Sequence, residues 1–389
     1  MERYERVWAE VDLDAINNNI KNLKSLTKEG TLLCAVIKAD AYGHGAAEVE
    51  KAIENNVDFL ATATTDEAIN LRSNGAKLPI LVLGYTDKSR VADAINNEVR
   101  LSVYDLETAK EIDAEAEKLN KKAKIHIKVD TGMNRIGIPA DEKGVELAKE
   151  FSKLPNLEIE GIYTHFFKAD DENDSVTFTQ FERFNKICDE LKKEGIEIQI
   201  KHCSNSAATT RVKDANCDMV RLGISMYGLY PSEYVHQLKL EPALSLKSHV
   251  TMVKTINAGE SVGYGGKFVA EKPTKIATIS IGYADGYNRR LSCKADVLIN
   301  GKRAKLTGTV CMDQIMADVS DIDDVKTGDE VVLIGKQGQE EITLEELADI
   351  VGTINYELSC LITRRVPRYY LENGKVLRAS HLVAYGEGF

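Results

Sequence analysis

The stretch "TLLCAVIKADAYGHGAAEVEKAIENNVDFLATAT", residues 31–64, decides the fold. It opens on a short apolar, β-branched run (31–38). A loop bracketed by glycines follows, then an amphipathic stretch rich in Glu, Lys and Ala (45–56). A second apolar run (57–64) closes it. That is a strand, a crossover helix and a second strand, the unit from which parallel sheets are built. The pattern then recurs along the chain.

Six further runs carry the strand signal: "LPILVLG" (78–84), "VRLSVY" (99–104), "KIHIKVD" (124–130), "LEIEGIYTHF" (157–166), "IEIQIKHCS" (196–204) and "CDMVRLGI" (217–224). Helical patterns such as "ETAKEIDAEAEKLN" and "FERFNKICDELKKEG" lie between runs, and "LDAINNNIKNLKSL" precedes the first. Eight strand–helix units predict a (β/α)8 TIM-type barrel. The alternative is an open doubly wound sheet; no GxGxxG follows any run, which favours the barrel. After "MYGLYPSEYV" the texture changes. Runs such as "LEPALSLKSHVTMVKTI", "KIATISIGYADG", "DEVVLIGK" and "YELSCLITRRVPRYY" follow with turns such as "INGK" and only one helical pattern, "TLEELADIVG". The expectation is an α/β chain of two domains: a barrel over 1–235 and a mostly antiparallel β domain over 236–389.

Composition narrows the function classes. The 389 residues carry a net charge of −11, which disfavours nucleic acid, whose phosphates need a basic face. No apolar segment approaches the ~18 residues of a membrane span. The N-terminal stretch has no signal-peptide apolar run. Seven scattered cysteines without CxxC spacing point to no metal site and to a reducing, cytoplasmic location.

A barrel of this type carries its chemistry at the C-terminal ends of its strands. The first run delivers Lys38, with Tyr42 beyond. The fifth delivers Lys128 and Asp130, then Arg135. The sixth delivers Tyr163 and His165, the seventh His202 with Asn205 and Ser206, the eighth Arg221 with Gly223 and Ile224. A lone lysine at a strand end is ordinarily solvated, and "SNSAA" alone reads as a helix cap. Together they suggest an anion held after the last two strands and an amine across the mouth. A phosphorylated aldehyde held as a Schiff base, pyridoxal phosphate, meets that description.

Over essentially its whole length the chain resembles the alanine racemase family of fold-type III pyridoxal-phosphate enzymes. "AVIKADAYGHG", "KVDTGMNRIG", "THF", "SNSAA", "MVRLGISMYGLYP", "SVGYGG", "IGYADG", "GTVCMDQ" and "TINYEL" carry the resemblance, in order and spacing. It implies an amino-acid racemase interconverting L- and D-alanine, with D-alanine supplied for peptidoglycan in a bacterial source. By the same resemblance Lys38 would bind pyridoxal 5'-phosphate, and Tyr42, Asn205, Ser206, Gly223, Ile224 and Tyr356 would hold it. Arg221 would face its pyridine nitrogen. Arg135 would lie near its phenolic oxygen and the substrate carboxylate, beside Lys128, a candidate for carbamylation. Tyr264 would be the second base, with His165 in its hydrogen-bond network. Met312, Tyr283 and Asp313 would serve substrate binding or access. The family implies a homodimer with shared active sites, Tyr264 and Met312 reaching the other subunit's cofactor.

The chain departs from the family's pattern at Gly263, where serine is common, and at Phe167 and Lys168, where small residues are usual. A broader racemase acting on serine, lysine or arginine is the nearest alternative. A decarboxylase of the same cofactor fold would lack "SVGYGG", and a cofactor carrier would lack the second domain. His126, His236, His249 and His381 draw no functional reading from their local context.

Overall fold

The computed structural model describes residues 6–380. All eight apolar runs of the first part are strands: Leu32–Val36, Phe59–Thr62, Ile80–Val82, Val99–Val103, Ala123–Asp130, Leu157–Tyr163, Ile200–His202 and Met219–Leu222. The first seven pair in parallel in chain order, and the eighth pairs with the first, Met219 opposite Leu32. The seam between the seventh and eighth has no ladder. It is bridged by Asp218 N–H donating to Lys201 O (3.0 Å) and Arg221 N–H to Ser204 O (3.0 Å). The result is a nearly closed TIM-like barrel. Its strands are dominated by apolar residues, as in Leu32–Val36 and Ile80–Val82, because both faces are covered, one by helices and one by the barrel interior.

The helices between strands start where side chains satisfy their first N–H groups. Thr64 and Glu67 form a reciprocal capping box on Thr65–Ser73. Asp105 caps Leu106–Lys118, and Asp141 caps Glu142–Ser152.

The chain divides into two compact units. One holds Ile16–Ala41 and Ala46–Glu241. The other holds the described residues up to Ala15, Tyr42–Gly45 and the described residues from Pro242 onward. The second unit is built on a mostly antiparallel sheet. Leu244–Ile256 is its spine, pairing antiparallel with Glu330–Gln337 and Thr274–Ile279. The "INGK" turn is real: Asn300 and Gly301 both adopt positive φ (50° and 73°) between Asp296–Ile299 and Lys302–Lys305, as a type I′ hairpin requires.

Two parts of the sequence reading change. Val7–Asp12, unread as a strand, pairs antiparallel with the Leu244–Ile256 spine and parallel with Arg368–Glu372, so the described residues up to Ala15 belong to the second unit rather than with the barrel. "YELSCLITRRVPRYY" is not one strand: Asn355–Leu361 is a helix and only Arg368–Glu372 is extended. Glu357, Leu358 and Leu361 are good helix formers, and Leu358 is the buried anchor of that turn.

Candidate active site

The first barrel strand ends at a single turn, Lys38–Tyr42, whose backbone is left-handed. Ala39, Asp40, Ala41 and Tyr42 have φ of 51°, 54°, 54° and 53°. L-residues avoid this region because Cβ crowds the carbonyl, at roughly 1–2 kcal/mol each. The glycines of "YGHG" do not make the turn alone; four non-glycine residues precede them in the same region. Local bonds hold it. Ala41 N–H donates to Ile37 O (3.0 Å), Ala39 N–H to Glu67 Oε1 (2.7 Å) and Ala46 N–H to Asp40 Oδ1 (2.8 Å). Such strain persists where surrounding structure imposes it, commonly at functional sites. Here it follows Lys38 directly.

The polar core of the rim is Arg221. It is 3% exposed, and its two terminal nitrogens donate to five acceptors: His202 Nδ1 and O, Thr164 O, His165 Nδ1 and Cys203 O. Its Nε–H has no partner among the described residues. All five acceptors are neutral. An arginine only donates, so His165 Nδ1 is a lone pair and its proton sits on Nε2. Burial, then the charges of Arg221, Arg135, Lys128 and Lys38, hold the His165 pKa well below the usual histidine range. His165 is therefore a neutral ring able to donate from Nε2.

Tyr163 lies between these groups. Its ring stacks on His202 (centroids 4.8 Å, interplanar 7°), with Arg221 and Lys128 5.4 and 5.6 Å from its centroid. Burial pushes its hydroxyl up to about 12, so it stays a neutral phenol. Lys128 Nζ donates to Val129 O (2.7 Å) and Ile136 O (3.1 Å). Burial lowers its pKa to about 8, with Asp130 opposing and Arg221 and Arg135 adding to the shift.

After the last two strands, Ser206 Oγ accepts from Gly223 N–H (2.9 Å) and lies 3.4 Å from Ser225 N. Among the described residues the Ser225 hydroxyl is buried without a partner. A cluster of backbone donors beside an unsatisfied hydroxyl suits a phosphate. Asn205 is engaged at both ends, accepting from Ala208 N–H (3.0 Å) and donating to Phe166 O (3.3 Å), so its amide secures the loop that carries Ser206. In the other unit the rings of Tyr42 and Tyr356 lie 6.2 Å apart. Burial, with Cys360 beside it, raises the Tyr42 hydroxyl above its ordinary value and keeps it a neutral donor.

Tyr264, Tyr283, Met312 and Asp313 line one groove of about 1250 Å³ in that second unit. Tyr264 is 74% exposed and Met312 53%. Gly263 has φ 70° and ψ −170°, a conformation essentially confined to glycine. A Cβ there would also meet Met316 Cε at 2.8 Å. The departure from serine thus matches this backbone. Tyr283 N–H donates to Cys311 O and Ala284 N–H to Met312 O (both 3.0 Å), which ties the two loops together. Two residues overlooked in the sequence reinforce them. Arg365 pairs with Asp313 and with Asp285, a fully buried carboxylate that also pairs with Arg6 and accepts from Gly282 N–H (3.0 Å). An aspartate in "YADG" behind an exposed tyrosine was the available signal.

The barrel unit therefore holds Lys38, Lys128, Arg135, His165, Asn205, Ser206, Arg221, Gly223 and Ile224. The second unit holds Tyr42, Tyr264, Tyr283, Met312, Asp313 and Tyr356. Residues 11–231 match the family model described as alanine racemase, N-terminal domain, and residues 243–370 that described as alanine racemase, C-terminal domain. The alanine racemase of Methanococcus maripaludis is 48% identical over 368 residues, covering 94% of this chain and 98% of that protein. That of Clostridium perfringens strain SM101 is 46% identical over 380 residues, covering 97% and 98%. The solved structure of alanine racemase from Clostridium difficile 630 superposes with a TM-score of 0.94 at 43% identity, covering 98% of this chain and 100% of that one.

Proposed function

Because this chain belongs to the alanine racemase family, whose members are isomerases, we propose that it interconverts L- and D-alanine with Lys38 and Tyr264 as bases on opposite faces of the substrate α-carbon. The observation that carries this reading is the His165 ring, whose Nδ1 accepts from Arg221 Nη2 (3.2 Å) and so leaves Nε2–H to donate.

Pyridoxal phosphate, when bound, supplies the electron sink that makes the α-hydrogen acidic enough to remove. The donors on Ser206, Gly223, Ile224 and Tyr42 suit its phosphate, with Tyr356 beside Tyr42 and Asn205 securing the loop. Arg221 has only Nε–H left to offer, and an arginine does not readily give up its proton, so it would donate a hydrogen bond to the ring nitrogen without protonating it. Lys38 would hold the aldehyde carbon, and its amine would move a proton on one face. Arg135 would orient the substrate carboxylate, with Tyr283, Met312 and Asp313 shaping access.

We place Tyr264 of a second copy on the other face. Its exposure is unusual for a base, since proton transfer works best where water is excluded. A homodimer that buries it against a partner's barrel mouth would cover it, and His165 Nε2–H would then donate to the phenol oxygen and ease its ionisation. The proposed location is the cytoplasm, in keeping with seven unbridged cysteines.

The test is incubation of the purified holoenzyme with L-alanine in D₂O. Loss of optical rotation with one deuterium entering the α-position per turnover is expected. Retained rotation while the cofactor absorbance persists overturns the reading.

A further inference from the structure

A second polar chain enters the site from inside the barrel. Glu160 Oε2 lies 3.2 Å from His126 Nε2, His126 Nδ1 lies 2.8 Å from His202 Nε2, and His202 Nδ1 lies 3.0 Å from Arg221 Nη1. His126 and His202 are fully buried, Glu160 is 5% exposed and Arg221 3%.

The local backbone is adapted to this chain. The register between the fifth and sixth strands slips between Ile125 and His126, whose partners are Ile159 and Gly161, so Glu160 is the extra residue of a bulge. Bulges commonly re-aim a side chain beside a site. Gly161 makes room for the imidazole: a Cβ there would meet His126 Nδ1 at 2.4 Å.

The direction of every hydrogen bond follows from its ends. Arg221 can only donate, so His202 Nδ1 accepts and His202 carries its proton on Nε2. That proton points at His126 Nδ1, which must accept, so His126 is protonated on Nε2 and donates to Glu160. Burial alone would raise the Glu160 pKa, but hydrogen bonds from His126, Arg100 and Lys124 hold it well below the usual carboxylate range. An ionised carboxylate accepts only. Burial, with Arg221 and His126 adding to it, keeps His202 neutral; burial also lowers His126 despite the pull of Glu160.

We infer that Glu160, acting through His126 and His202, is a positioning residue for Arg221. It fixes both ring tautomers so that His202 presents a lone pair to the guanidinium and leaves Arg221 Nε–H for the cofactor ring nitrogen. This rests on the Arg221 role proposed above. Without the carboxylate, the chain can reverse. His126 would donate from Nδ1 to His202, whose Nδ1–H would then oppose an Arg221 N–H, and the guanidinium would shift. Glu160 is also the carboxylate through which the neutral contacts of the rim arginine reach a negative charge.

The test uses holoenzyme labelled with ¹⁵N in its histidine rings, compared across wild type, Glu160→Gln, Glu160→Leu and Arg100→Met. Signals are assigned from their loss in His126→Gln and His202→Gln. Wild type should show both rings neutral and protonated at Nε2. Glu160→Leu should move signal to the Nδ1–H form, shift the cofactor absorption band and lower kcat about tenfold with KM within about twofold. Glu160→Gln, whose amide oxygen still accepts, should keep the Nε2–H signals and lose about threefold in kcat. Arg100→Met removes an ion pair to Glu160 but not the relay, and should leave signals, band and kcat unchanged. Nδ1–H on either ring in wild type overturns the inference with no variant needed. So do unchanged signals in Glu160→Leu, or equal losses in Glu160→Leu and Arg100→Met. The ring signals are read independently of turnover, so failure of racemisation would leave this result standing.

Discussion

Lys128 shows how one buried amine links stability to chemistry. Its pKa near 8 lies below the ~10.4 of an exposed lysine. Between those values the unfolded chain binds more protons than the folded one, so an unmodified amine makes stability rise with pH from about 8 toward about 10.4. The same depression leaves about half the amine neutral near pH 8, where it can react with carbon dioxide. We expect the carbamate: its negative charge would sit among Arg135 and Arg221 and relieve a cationic cluster in which the acceptors of Arg221 are all neutral. Protein equilibrated with ¹³C-bicarbonate should then show a carbamate carbon that Lys128→Met lacks. A rise in stability with pH above about 8, with no ¹³C signal, would identify a plain lysine.

At the scale of elements, the left-handed turn after the first strand depends on a helix cap. Glu67 closes the capping box of Thr65–Ser73, but its two oxygens also accept from Ala39 N–H and Ala63 N–H (both 2.7 Å). Glu67→Ala should therefore cost about 2–3 kcal/mol in urea unfolding, two hydrogen bonds beyond the ~1 kcal/mol of a cap, and lower kcat because Lys38 loses its fixed exit from the strand. A loss no larger than that of Thr64→Ala would limit Glu67 to the helix. Thr-x-x-Glu is visible in the sequence as a cap; its reach to Ala39 is not, because the contact crosses a strand-to-strand step of the fold. The same divide runs through the molecule. The barrel strands were legible because burial on two faces leaves an apolar run in the chain itself. Val7–Asp12 was not, because its partners begin at residue 244 and it carries Glu10 and Asp12. Asn355–Leu361 was misread because a short run of Leu, Ser and Cys has no decisive period. His126 shares a strand face with Lys128 by simple alternation, a usable signal, whereas Glu160 reaches it only through a bulge that one sequence does not announce.

For the whole molecule, the decisive question is whether the two proposed bases come from one chain or two. Tyr264 and Met312 are exposed on a groove of the second unit, and such apolar exposure is usually covered by a partner. Two-fold pairing would use the same surface on both subunits, giving each site a Lys38 from one copy and a Tyr264 from the other. Lys38→Ala and Tyr264→Phe should each be close to inactive alone. Coexpressed with different tags and purified through both, they form a mixed dimer. If the sites are shared, one site of that dimer lacks both bases and the other has both intact, so about half the wild-type activity per dimer should return. If each chain supplied its own pair, every site would carry one lesion and the mixed dimer would stay as inactive as its parents. Recovery of activity would also show that Lys38 and Tyr264 meet in catalysis only when two chains assemble.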